Sequence, residues 1–128
     1  MRALLDTSFF VAAESGRPLR QVPEDVDETE VSVVTVAELT LGVLLARDED
    51  RPVRLGTLAA VETTWDPLGI DVEVAREFAR ITAELRRRGR RAPILDVLLA
   101  ATAITEGIPV VTQDRDYGAI AGLRVIQV

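Results

Sequence analysis

Asp6, Glu38, Asp96, Asp114 and Asp116 are the residues of this chain best equipped to do chemistry. Asp6 follows the short apolar run Ala3-Leu4-Leu5, and Asp96 opens onto Val97-Leu98-Leu99-Ala100-Ala101. Asp114 and Asp116 follow Val110-Val111-Thr112-Gln113. Carboxylates gathered at one edge of a sheet form a set of hard oxygen donors, which select Mg2+ or Mn2+ over softer metals. The rest of the composition narrows the choice. The chain has no His and no Cys, and Lys and Asn are absent as well. Disulfides, zinc–thiolate sites, Cys nucleophiles, His-based triads and Lys-dependent phosphate loops are excluded. Carboxylates, hydroxyls, Arg and a single Tyr remain.

Each carboxylate also has a plainer role open to it. Asp6 suits the cap of a following helix. Thr35-Val36-Ala37-Glu38 fits a capping box in which Glu38 reaches back to the Thr35 backbone N–H. Asp96 could cap its helix, although apolar surroundings are an expensive place for a charge. Turns commonly use Asp, so one of Asp114 and Asp116 is structural, and the sequence does not choose between them. Independent caps have no need to face one cleft, whereas these residues recur at comparable element ends. Without a cation, crowded carboxylates raise one another's pKa and destabilise the fold, and a divalent ion offsets that repulsion. Thr7, Ser8 and Thr112 add hydroxyls suited to ligating, to holding a metal-bound water, or simply to capping and turns.

The elements that must position these groups alternate. Strand-like runs fall at 3–5, 31–34, 64–67 (weakly), 109–112 and 123–128, β-branched or apolar and bounded by polar or turn residues. Helical periodicity begins after Asp6 and covers 35–47, 53–63 and 71–88, the last with Val74, Phe78, Ile81 and Leu85 on one stripe. The stretch 94–105 is apolar nearly all round, which predicts a buried helix ended by Gly107-Ile108-Pro109. Residues 14–30 read as an irregular or one-helix connection. Alternating strand and helix implies a parallel α/β sheet with helices on both faces. Ligands then bind beyond the carboxyl ends of the strands, where these acids fall.

At 128 residues the chain is expected to form one domain with its own core. No apolar run approaches the roughly 20 residues of a membrane span, and the N-terminus lacks signal-peptide character, which predicts a cytoplasmic protein. The net charge of −6 argues against a passive nucleic-acid binder but not against an enzyme whose metal inverts the local potential. Five of the 15 arginines lie in Arg86-Arg87-Arg88-Gly89-Arg90-Arg91. Arg87, Arg88, Arg90 and Arg91 are candidates for RNA phosphate contacts, or a solvated helix end.

Four blocks, in this order, resemble the PIN-domain family and within it the VapC-type toxin ribonucleases. They are Leu4-Leu5-Asp6-Thr7-Ser8, Ser32-Val33-Val34-Thr35-Val36-Ala37-Glu38-Leu39 with Gly42, Asp96 through Ala103, and Pro109 through Tyr117. The resemblance implies a three-layer α/β/α fold with a central parallel sheet of four to five strands. It implies an Mg2+- or Mn2+-dependent endoribonuclease with RNA as substrate, usually a homodimer, and a VapB-like antitoxin seated in the active-site groove. Asp6, Glu38 and Asp96 match the family's acidic triad, and either Asp114 or Asp116 the fourth acidic position. Ser8 departs from the Asn common among relatives. Three other readings are weaker: a phospho-receiver module needs a Lys, a haloacid-dehalogenase-like phosphatase needs Asp at position 8, and a silent PIN-like scaffold has no need of the intact acidic set.

Overall fold

The computed structural model describes residues 1–128. In chain order the elements are β1 (Arg2–Leu5), α1 (Thr7–Glu14), β2 (Glu28–Glu30), α2 (Val33–Leu44), α3 (Arg51–Thr64), α4 (Val72–Arg87), α5 (Ile94–Glu106), β3 (Val110–Thr112) and β4 (Val125–Gln127). A 3-10 turn, Asp116–Ala119, lies between the last two strands. The sheet is wholly parallel, in the order β2-β1-β3-β4.

Alternation of side chains along β1 explains the layers. Leu4 points to one face and joins Val110, Val74, Ile81, Leu85, Val97 and Leu99, contributed by β3, α4 and α5. Ala3 and Leu5 point to the other and join Val111, Phe10, Leu39 and Val61, contributed by β3, α1, α2 and α3. The three-layer α/β/α expectation is met, with four strands.

Two expected strands are corrected. The run 31–34 is not a strand: β2 lies just before it, and helix α2 begins at Val33. The Ser32 hydroxyl accepts the Val34 N–H at 3.0 Å, and that cap starts the helix despite the β-branched valines. The run 64–67 is not a strand either, because α3 continues to Thr64. The Trp65 indole N–H donates to the Thr29 carbonyl at 3.0 Å, anchoring this segment beside β2. Only an isolated bridge between Ser32 and Leu68 survives of the fifth strand. The connection after α1 contains no helix before β2.

Helix α5 ends on Gly107 at φ 69°, and Ile108 N–H donates to Ala103 O at 3.0 Å. A Cβ there would meet no atom within 4 Å, so only the left-handed backbone opposes a side chain. Gly107→Ala is therefore expected to destabilise the fold by about 1 kcal/mol, read as a lower urea midpoint. An unchanged midpoint would show that the turn can relax.

Candidate active site

Asp6 stands at the N-cap position of α1, yet its side chain makes no capping bond. The capping role open to it in the sequence is corrected by the hydroxyls that surround it. Its Oδ2 accepts from Ser8 Oγ at 2.7 Å and from Thr112 Oγ1 at 2.7 Å. Its Oδ1 accepts from the Tyr117 hydroxyl at 3.1 Å. Each donor comes from a different element. Ser8 lies in the first turn of α1, Thr112 ends β3, and Tyr117 belongs to the 3-10 turn. The β1–β3 register, Leu5 beside Val111, brings Thr112 next to Asp6, and Asp6 N–H extends that ladder to Val111 O at 2.9 Å. Asp6 is 5% exposed, so this is a buried carboxylate with both oxygens hydrogen-bonded.

The same hydroxyls shape the loop that follows β3. Ser8 Oγ accepts the Gln113 N–H at 3.1 Å and Thr112 Oγ1 accepts the Asp114 N–H at 2.9 Å. Asp114 Oδ1 in turn accepts the Asp116 N–H at 2.9 Å. Asp114 is half-buried, whereas Asp116 is exposed.

Glu38 lies in the second turn of α2, one turn further along than expected, because the helix starts at Val33. It does not close a capping box on Thr35. Its Oε1 accepts from Thr7 Oγ1 at 2.8 Å, and the buried Thr35 hydroxyl stands 3.0 Å from that of Thr7. Burial pushes the Glu38 carboxyl above its usual range; the Thr7 hydroxyl draws it partly back, and the Asp6 charge adds to the rise.

Asp96 is the third residue of α5, whose N-cap is Pro93, so it does not cap the helix. Its carboxyl is pushed up to about 6 by burial first, then by the charges of Asp6, Asp114, Glu38 and Asp116. Every acid singled out in the sequence thus acts on one carboxyl, and Asp114 outweighs Asp116. None of the chain's ion pairs reaches any of the five. The negative charge at this edge is uncompensated by protein, and every donor is oxygen. That chemistry fits a hard divalent cation. As the side chains are placed, no three of the acids converge closely enough to enclose one.

In the sequence Tyr117 is only the single Tyr and the end of the fourth family-like block, with no role of its own. It is 2% exposed, and burial together with the Asp6 charge raises its hydroxyl pKa far above the ordinary value. It therefore stays a neutral donor to Asp6. Its position directly after Asp116 was the signal available. Thr35 was likewise missed as a site neighbour, being read as a cap.

The arginines divide. Arg88 Nη2 donates to Ala119 O at 2.8 Å, tying the end of α4 to the 3-10 turn. Arg90 and Arg91 line a pocket with Arg86, while Arg87 is exposed and does not.

Comparison with known proteins agrees with this architecture. The PIN domain profile matches residues 3–123. Ribonuclease VapC5 of Mycobacterium tuberculosis is 42% identical over 128 residues, 98% of this chain and 92% of that protein. Ribonuclease VapC4 of the same species is 40% identical, covering 99% of this chain and 97% of the relative. Among solved structures, VapBC-5 of M. tuberculosis, a member of the VapBC family of toxin–antitoxin systems, superposes with a TM-score of 0.84. It is 36% identical over 99% of this chain and 98% of that one. The fold and site define a PIN domain, and the chain belongs to the PIN-domain family, among the VapC ribonucleases. No helix is long and apolar enough to cross a membrane.

Proposed function

We propose that residues 1–128 act as a single nuclease domain, a VapC-like endoribonuclease toxin that hydrolyses RNA phosphodiester bonds with Mg2+ or Mn2+. The observation that carries this reading is Asp6. It is buried at the carboxyl end of β1, held by three hydroxyls, and surrounded by acids without ion-pair partners. Asp6, Asp96 and Asp114 are the residues assigned to hold the cation, with Asp114 preferred to Asp116 because it is less exposed and weighs more on Asp96. When bound, such a cation lowers the pKa of water and stabilises charge on the phosphate oxygens.

The chain's own residues do the rest. Ser8, Thr112 and Tyr117 fix the direction of the Asp6 carboxylate, so it needs no rearrangement when the substrate arrives. Thr7 holds Oε1 of Glu38 and leaves Oε2 free to accept a proton from the attacking water. The raised pKa of Glu38 suits a proton acceptor. Asp116, whose side chain is exposed and which gives only its backbone N–H to Asp114 Oδ1, is left out of the ligand set.

A VapB-like antitoxin and a second copy of the chain are the proposed protein partners, with the cytoplasm as the place of action. In support, VapBC-5 of M. tuberculosis, a member of the VapBC family of toxin–antitoxin systems, superposes on this chain over 99% of its length. The end of α2 presents apolar surface that suits such partners: Leu41 is 52%, Leu44 72% and Leu45 75% exposed.

The test is cleavage of a pool of tRNA, rRNA and mRNA by purified protein with Mg2+, with Mn2+ and with EDTA. Discrete fragments that require metal and vanish in Asp96→Asn are expected. Folded protein that binds RNA but cleaves nothing would favour the silent-scaffold reading. Tyr117→Phe keeps the ring and removes one donor to Asp6. It should lower the cleavage rate about tenfold and stability by about 1 kcal/mol, measured by single-turnover kinetics and urea unfolding. Unchanged kinetics would remove Tyr117 from the positioning role.

A further inference from the structure

We propose that the pocket beside the start of α5 is a nucleobase subsite, through which the RNA strand runs on leaving the acidic edge. This rests on the ribonuclease reading and adds the path of the substrate.

The pocket holds about 700 Å3 between the C-terminal half of α4, the turn after it and the first turns of α5. Phe78, Leu85 and Val97 give it an apolar floor, and Arg86, Arg90 and Arg91 rim it. None of these three arginines enters an ion pair, in a chain whose net charge is −6. Unpaired cations around an apolar floor match the two halves of a nucleotide. The base stacks on apolar surface or a guanidinium plane, and the phosphate meets the charge. An apolar helix would cover the floor but bury the arginines unpaired, which is unfavourable. An acidic peptide would satisfy the arginines and leave the floor open.

Position supports the same occupant. Val97 lines the pocket and Asp96, the residue before it, belongs to the carboxylate edge. Successive residues sit about 100° apart on a helix roughly 10 Å wide, so one strand can reach both faces of this turn. The opposite flank is unsuited. There a cleft of about 160 Å3 is lined by Glu14 and Glu38, and its one arginine, Arg54, donates to the Gly42 carbonyl at 2.8 Å. Phosphates leaving that way would meet carboxylates.

The experiment measures anisotropy of a fluorescein-labelled single-stranded RNA of mixed sequence and of an abasic oligoribonucleotide of the same length. It uses full-length protein carrying Asp96→Asn with Mg2+, so that nothing is consumed. Thr82→Trp, which fills the pocket from α4, should weaken binding of the intact RNA on the order of tenfold and leave the abasic one unchanged. Ala92→Phe, placed in the turn where a helix is not at risk, should do the same. The double variant Arg90→Ser/Arg91→Ser should weaken both oligomers and flatten the salt slope by about 1.4, roughly 0.7 per phosphate lost. Intact-RNA affinity unchanged by a folded Thr82→Trp or Ala92→Phe protein would overturn the proposal. So would equal losses for the two oligomers, or a shift from dimer to monomer as the sole effect of filling the pocket. If native protein cleaves RNA while filling the pocket changes no affinity, the subsite alone fails. If native protein cleaves no RNA, the ribonuclease reading fails first.

Discussion

Asp96→Asn is expected to abolish RNA cleavage and to make the metal-free protein more stable. The first effect should be roughly 100-fold or more, the scale on which fixed charged and polar groups act in active sites. The second follows from the electrostatics. The Asp96 carboxyl sits at about 6 in the fold against 3.8 for the ordinary group, through burial and then the surrounding carboxylates. Between those values the folded protein holds more protons than the unfolded chain, so stability falls as pH rises from about 4 to about 6. Below about 4 the acid is neutral in both states and no penalty remains. Asparagine has no charge to bury, so the gap between variant and native protein should open across this window and be full at pH 7. It should reach about 1–2 kcal/mol, since a half-buried group is partly screened by solvent. Urea unfolding at pH 4, 5 and 7 with EDTA reads it directly. Added Mg2+ or Mn2+ should narrow the gap by stabilising the native protein alone. An asparagine variant less stable than the native protein at pH 7 without metal would sink this account of the acidic edge.

Asp6→Ala should be equally inactive but should move stability the other way. Asp6 is the shared acceptor of Ser8, Thr112 and Tyr117. Ser8 and Thr112 keep other partners, since they accept the Gln113 and Asp114 N–H groups and stand 3.1 Å apart, where one hydroxyl can donate to the other. The Tyr117 hydroxyl, almost fully buried, has no other recorded partner, and stranding a buried donor costs about 1–3 kcal/mol. Relief of repulsion with Asp96 offsets only part of this. A net loss of about 2 kcal/mol is expected, reduced in Asp6→Asn, whose amide oxygen can still accept. Combining Asp6→Ala with Tyr117→Phe removes donor and acceptor together and should recover about 1 kcal/mol. The check is a double-mutant cycle by urea unfolding, and a cycle with no coupling would show that the 3.1 Å contact contributes nothing.

These two acids differ in a way that neither residue type nor spacing reveals. Both follow or precede apolar runs, and both suit caps. What separates them is the company each keeps: three hydroxyls hold Asp6, whereas Asp96 has burial and then the charges of the other carboxylates acting on it. Glu38 shows the same limit. Thr35-Val36-Ala37-Glu38 satisfies the spacing of a capping box, but Ser32 starts the helix one turn earlier and leaves Glu38 to Thr7. The valines at 33 and 34 read as strand because β propensity reports fit to a pleated, half-buried surface. Here the Ser32 cap on the Val34 N–H decided otherwise.

The sequence by itself determined the alternation of elements, the parallel α/β/α class, the oxygen-only chemistry and the acids that collect at one edge. Composition and periodicity are local properties, and the strand–helix order leaves few topologies to choose from. Only the tertiary structure decided which acid is held by hydroxyls, that Tyr117 is one of the holders, and that Asp114 is half-buried while Asp116 is exposed. It also decided that Arg86, Arg90 and Arg91 surround a pocket while Arg88 fastens the end of α4. Those outcomes depend on register between strands distant in the chain and on the solvent each side chain loses. Both are set when the layers pack, and neither is written in any short stretch of residues.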